Sequence, residues 1–198
     1  MYFLHSDNPD VPVGEFVDVL NEQMDAGRIR VFGGSNWTVE CVEEANAYAA
    51  RNGLTGFSAL STNFSLAQWL EPPWPGCITS SDSDSRRWLK EQQMPLFPWS
   101  SQARGFFVDG RASPENRSDA DLAKYWYTND NFRRLERARS LAAIHGIATT
   151  GIALAYVLHQ PFGTFPIIGP LSPQETSTSL EAVDIELTPA EVRWLDVE

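Results

Sequence analysis

Strand-like apolar stretches alternate with helix-length amphipathic stretches along this chain, and that alternation restricts the fold more than any other feature. Residues 1–5, 28–33, 56–61, 94–99 and 165–168 read as strands. Helices fall between them. Val13, Phe16, Val17, Leu20 and Met24 recur at helical spacing, and Gly27 sits just past the end. Thr38 is placed to cap a helix that runs to about Arg51, with Gly53 as its stop. Asp82 or Asp84 caps another through about Gln93, and residues 131–144 and 149–158 form two more, broken at Gly146. Ser172-Pro173-Gln174-Glu175 and Thr188-Pro189-Ala190-Glu191 share one pattern: a capping hydroxyl, Pro at the first helical position and Glu at the third.

Strands separated by helical connections pair in parallel through right-handed crossovers. The periodicity admits either an open doubly wound sheet or part of a (β/α)8 barrel. No Gly-x-Gly-x-x-Gly follows a strand, which argues against a dinucleotide-binding doubly wound domain. No Gly-x-Ser-x-Gly elbow supports an α/β hydrolase. Residues 64–81 and 101–129 read as irregular, and a loop as long as the second is often functional. No repeat or linker divides the chain, so residues 1–198 read as a single domain.

Composition narrows the partners. A chain of 198 residues with 42% hydrophobic content can build one real core. A formal net charge of -11 repels phosphate backbones, so nucleic acid is not expected as a partner. Cys41 and Cys77 make no disulfide framework and show no metal-ligand spacing with a histidine, so no metal site is expected. No apolar run reaches membrane-spanning length, and no basic region followed by an apolar stretch opens the chain. A cytoplasmic protein without a membrane partner is the expectation.

Five segments carry a resemblance: Tyr2-Phe3-Leu4-His5-Ser6-Asp7; Gly33-Gly34-Ser35-Asn36-Trp37; Leu60-Ser61-Thr62-Asn63-Phe64; Pro98-Trp99-Ser100-Ser101-Gln102-Ala103-Arg104-Gly105; and Ile167-Ile168-Gly169-Pro170-Leu171-Ser172. In this order they resemble the aldo/keto reductase family from its fourth barrel strand to its eighth. The resemblance implies an α/β fold, a partial TIM (β/α)8 barrel of about five parallel strands alternating with helices, with about three N-terminal βα units missing. It implies NAD(P)H-dependent hydride transfer between nicotinamide and a small carbonyl or alcohol substrate, with NADP or NAD as cofactor.

Residue by residue, the resemblance makes His5 the catalytic-site histidine. Strand alternation puts Met1, Phe3 and His5 on one face, so Tyr2 cannot be its partner. The family's catalytic tyrosine, lysine and aspartate belong to segments before Met1, so the isolated chain is expected to be inactive. Ser35 and Asn36 match residues that hold the nicotinamide carboxamide, and an Asn offers both donor and acceptor to such a group. Ser61 stands where many members have glutamine, a departure that shortens the reach. Trp99 matches an aromatic that stacks on the nicotinamide ring. Ser100, Ser101, Gln102, Ala103, Arg104 and Gly105 would wrap the pyrophosphate with hydroxyls, charge and close backbone approach. Gly169, Pro170, Leu171, Glu175 and Ser179 fall in the adenosine region. No Arg or Lys lies between Gly169 and Ser179 to meet a 2′-phosphate, and Glu175 is better explained as a capping-box residue. Cutting a barrel before its fourth strand would leave two open strand edges, and self-association through them is expected. The alternative is a non-catalytic half-barrel that serves as a nucleotide-binding or assembly module.

Overall fold

A computed structural model describes residues 1–197. Its sheet is parallel, in the order β1 (Tyr2–Leu4), β2 (Phe32–Ser35), β3 (Leu60–Ser61). Tyr2 pairs with Phe32 and Gly34 with Leu60. The second strand therefore starts four residues later than the apolar run from Arg28 suggests, because the chain must first clear the turn that ends the preceding helix. The Gly33-Gly34 pair is dictated by its neighbours. A Cβ on Gly33 would lie 2.4 Å from the Ala59 carbonyl and 2.7 Å from the Phe3 ring, and one on Gly34 would lie 2.7 Å from the Trp37 indole.

The two further strands expected at 94–99 and 165–168 are present only as isolated parallel bridges, Leu60 with Leu96 and Leu96 with Thr164. Their place in the order is nevertheless clear. Phe97 N–H donates to Leu60 O at 2.7 Å, and Phe165 N–H donates to Leu96 O at 2.8 Å. Prolines explain the interruption. Pro95 and Pro98 lack the N–H groups that would donate toward the two neighbouring segments, so neither ladder runs on. The parallel order thus extends from β1 to segment 164–168. Phe3, Phe97 and Phe165 share one face: Phe3 meets Phe97 edge-on at 5.4 Å, and Phe97 stacks on Phe165 at 4.9 Å.

Local signals place most helices. Helix α1 (Val13–Asp25) buries Val17 and Leu20 against α2 (Val39–Asn52). The Thr38 hydroxyl caps α2 by accepting from Cys41 N–H at 3.2 Å, and Gly53 ends it at φ 68°. Asp82, rather than Asp84, caps α3 (Ser83–Gln92). The supposedly irregular stretch 101–129 contains a further helix, α4 (Ala120–Trp126), capped by Asp119 and burying Leu122 and Trp126. Those two apolar residues are spaced i,i+4 behind an Asp, a signal present in the sequence but too short to stand out. Helix α5 (Asn129–His145) starts at Asn129 behind Thr128, two residues before the expected Asn131. Asn131 is instead a buried tie, whose amide donates to Gln68 O and Trp126 O. Helix α6 (Thr149–Leu158) packs on α5 and is buried along nearly its whole length. Helices α7 (Pro173–Leu180) and α8 (Pro189–Leu195) start at Ser172 and Thr188 as expected, and α8 has a complete capping box.

The C-terminal turn is locked to the body of the fold. The Asp196 carboxylate meets Arg86, from α3, and lies 3.7 Å from Arg134, from α5. Burial first, and this carboxylate second, hold the nearby Tyr156 phenol well above its usual range.

Candidate cofactor site

The C-terminal ends of the parallel segments stand side by side. Asn36 N–H donates to Ser61 O at 3.0 Å, and Trp99 N–H donates to Thr62 O at 3.2 Å. That end of a parallel α/β sheet is where ligands bind. Beyond Trp99 the chain enters an unusual loop. Ser100, Ala103 and Arg104 have φ of 51°, 49° and 50°, and Gly105 follows at 86°. Left-handed backbone is uncommon outside glycine and costs free energy, so a cluster of it points to a functional constraint. Asn36, at φ 52°, belongs to the same set. The other two non-glycine residues of this kind among those described are Gln93, a helix C-cap, and Val197, the last described residue.

This loop, the segment after Ile167 and helix α7 enclose a groove of about 830 Å³. Every expected cofactor residue from Ser100 onward lines it except Ala103, which is wholly buried beneath. Gln102 spans the groove, donating to Thr150 Oγ1 at 3.2 Å and to Ser179 Oγ at 3.1 Å. Ser179 Oγ donates in turn to Glu175 O. The Ser101 hydroxyl donates to Ile167 O at 2.9 Å, so its proton fastens the loop to the neighbouring segment. Glu175 accepts from Leu171 N–H at 2.7 Å, which turns its carboxylate onto the 169–171 loop. Gly169, Pro170 and the exposed Leu171 form that rim.

Arg104 and Arg111 bring positive charge to the groove. Arg111 lies over Gly105 and pairs with Asp119 at 2.8 Å. That guanidinium, helped by Leu122 N–H, holds the Asp119 carboxyl below the usual range. Asp109 accepts from Thr149 Oγ1 at 2.9 Å and lies 3.9 Å from Arg139. Thr150, Arg111 and Asp109 are groove residues the sequence reading missed, because no local pattern links them to the loop at Ser100.

The remaining expected residues stand apart from this groove. Asn36 is buried; its Oδ1 accepts from Ile78 N–H at 3.2 Å, and its Nδ2 faces His5 O and Ser35 Oγ, both at 3.4 Å. Ser61 donates to Phe97 O at 2.8 Å, so its hydroxyl proton is committed between strands. His5 is exposed at the end of β1. Trp99 packs with two other indoles, Trp69 and Trp74. Neither partner was legible as such, since both come from the Pro-rich stretch after Phe64.

Hydroxyls, the Gln102 amide and two guanidiniums line the groove beside left-handed backbone, together with the carboxylates of Asp109 and Glu175. Among the described residues, no group of three or more His, Cys, Asp or Glu is arranged to hold a metal ion. Residues 1–197 match the Aldo/keto reductase family. Norsolorinic acid reductase A of Aspergillus parasiticus is 27% identical over 99% of this chain and 47% of its own length. An aryl-alcohol dehydrogenase of Pestalotiopsis microspora is 25% identical over 98% of this chain and 47% of its own. A thermostable aldo-keto reductase solved with the inhibitor epalrestat superposes with a TM-score of 0.69 at 19% identity, covering 99% of this chain and 58% of that one. The chain thus spans about half the length of the curated relatives it matches.

Proposed function

This chain belongs to the aldo/keto reductase family, and from that premise we propose that it forms the cofactor-holding part of a nicotinamide-dependent oxidoreductase, strands four to eight of a TIM-type barrel. Five parallel segments in chain order support the barrel assignment, as does the aromatic face of Phe3, Phe97 and Phe165 where a barrel interior would lie. One observation carries the functional reading: the loop at Ser100–Gly105 and the 169–179 region, far apart in sequence, line a single groove tied together by Gln102.

In this reading Ser100, Arg104 and Gly105 hold the pyrophosphate of NADP or NAD, while Gly169, Pro170, Leu171, Glu175 and Ser179 border the adenosine. Ser101, Gln102 and Ala103 shape the loop from below. Ser35 and Asn36 orient the carboxamide, Ser61 supports them from the next strand, and Trp99 offers an indole face to the ring. When bound, the nicotinamide supplies or accepts the hydride. The substrate class is a small carbonyl or alcohol, and His5 stands beside it.

The test is equilibrium binding of NAD⁺, NADP⁺ and ADP-ribose by calorimetry. Saturable binding of ADP-ribose, competed by a dinucleotide, is the expected result. Failure of all three to bind removes the proposal. The second reading, a module that binds nucleotide without turnover, draws on one further observation. The one Tyr–Lys hydrogen bond among the described residues, Lys124 Nζ to Tyr125 Oη at 3.2 Å, is tied to Glu71 and Pro73 O and not to His5.

A further inference from the structure

Trp74 stacks on Trp99 with ring centroids 5.3 Å apart and planes at 27°. Trp69 adds a third indole at 5.5 Å, tilted 47°. Trp99 Nε1 is buried and has no hydrogen-bond partner. Trp74 itself remains 46% exposed. Its indole therefore covers Trp99 while keeping a way out to solvent.

The backbone around Trp74 is held on both sides. Before it, Tyr125 Oη donates to Pro73 O at 3.3 Å and Leu70 N–H donates to Tyr125 O at 2.7 Å. After it, Asn63 N–H donates to Ile78 O at 2.8 Å and Ser80 N–H donates to Asn63 O at 2.9 Å. Pro73 and Pro75 restrict the chain at the tip, and Gly76 turns it at φ 84°. With the backbone tied on both sides, displacing the indole from Trp99 requires rotation about the Trp74 χ angles.

We propose that Trp74 is a movable cover on the ring subsite of Trp99, displaced when a nicotinamide ring takes its place. The proposal rests on the reading that Trp99 stacks on the nicotinamide. The exchange is chemically balanced: one flat ring replaces another on the same indole. An oxidised nicotinamide carries positive charge, which makes it a better partner for an indole face than a second neutral indole. The cover taxes the nicotinamide half of the ligand only. The adenosine and pyrophosphate half meets the groove at Ser100–Ser179, where Trp74 takes no part.

The test titrates NAD⁺ and ADP-ribose, with NADP⁺ and 2′-phospho-ADP-ribose in parallel, into the full chain and into Trp74→Ala and Trp74→Leu. Both variants bind the dinucleotides about two- to tenfold more tightly than the parent, the worth of one aromatic stack, and bind the ribose diphosphates unchanged. The leucine variant preserves apolar volume and decides the matter if the alanine variant fails to fold. Equal dinucleotide affinity in parent and variants, with ribose diphosphate binding intact, overturns the cover alone. Weaker dinucleotide binding in the variants also overturns it, because Trp74 then braces Trp99. Absence of binding by any ligand to any of the proteins removes the cofactor reading and the cover with it.

Discussion

The Gln102 amide donates to the Ser179 hydroxyl at 3.1 Å, joining positions 77 residues apart. With its second contact at Thr150 it is the tie that turns a loop and two helices into one groove. Replacing it with alanine leaves Ser179 its bond to Glu175 O but removes the loop's side-chain bonds to Thr150 and Ser179. Gln102→Ala is expected to lower stability by about 1 kcal/mol and to weaken ADP-ribose binding several-fold. Thermal unfolding and calorimetry measure the two effects. Unchanged affinity would show that the bridge does not shape the site.

Asp196 is the anionic centre of a buried cluster, with side-chain exposure of 3% against 8% for Arg134. Removing it leaves the Arg134 guanidinium buried without its carboxylate. Asp196→Ala should therefore cost about 3–5 kcal/mol, far more than a surface ion pair. Chemical denaturation of parent and variant checks this. A loss comparable with that of the exposed pair Arg87–Asp84, on the order of 0–1 kcal/mol, would contradict it.

The α8 capping box makes stability depend on pH on the acid side. Thr188 N–H and Oγ1 both donate to the Glu191 carboxylate at 2.8 Å, which lowers its pKa from the ordinary 4.5. A depressed carboxylate contributes stability that is present above its unfolded value and is lost as pH falls through the folded one. Stability should thus decline below 4.5. Glu191→Gln keeps the cap but removes the titration, so its acid-side slope should be shallower. Urea unfolding across the acid range compares the slopes, and identical slopes would exclude Glu191 as a contributor.

Residues 1–198 expressed alone should not oxidise NADH or NADPH in the presence of aldehydes. His5 is the one expected catalytic residue on this chain, and a positioned general acid alone is worth roughly 10²–10⁴-fold. A spectrophotometric assay over an aldehyde panel reads the outcome. Turnover that purifies with this polypeptide would show that residues 1–198 carry a working catalytic set.

The two ends of the parallel order carry exposed apolar residues: Tyr2, 47% exposed, at one end, and Phe165 and Ile167, 54% and 47% exposed, at the other. Edge segments that expose apolar side chains invite pairing. The polypeptide alone should associate as its concentration rises, and a Phe165→Thr, Ile167→Thr double variant should shift it toward monomer. Light scattering coupled to size exclusion measures this. A monodisperse monomer at all concentrations would refute it.

Thr38, Ser172 and Thr188 were legible as helix starts, and Asp82 as one of two candidates with Asp84, because each cap acts on an N–H within three residues of itself. Gly53 and Gly146 were legible as stops because left-handed backbone is a property of the residue and its neighbours. The order of parallel segments followed from these local signals, and the ordered motifs along it marked the two walls of the groove, at 100–105 and 169–179, but not Asp109, Arg111 or Thr150. Other features depended on the path of the whole chain. Pro95 and Pro98 reduce two strands to bridges only because of which carbonyls lie opposite them. Ser61 and Ser101 spend their hydroxyl protons on Phe97 O and Ile167 O, and Asn36 accepts from Ile78 N–H. Trp74 stacks on Trp99 although α3 separates the two in sequence. A cap is decided by a few torsions between adjacent residues, so the sequence alone determines it. A contact between distant segments is decided by where packing brings them, and only the tertiary structure contains that.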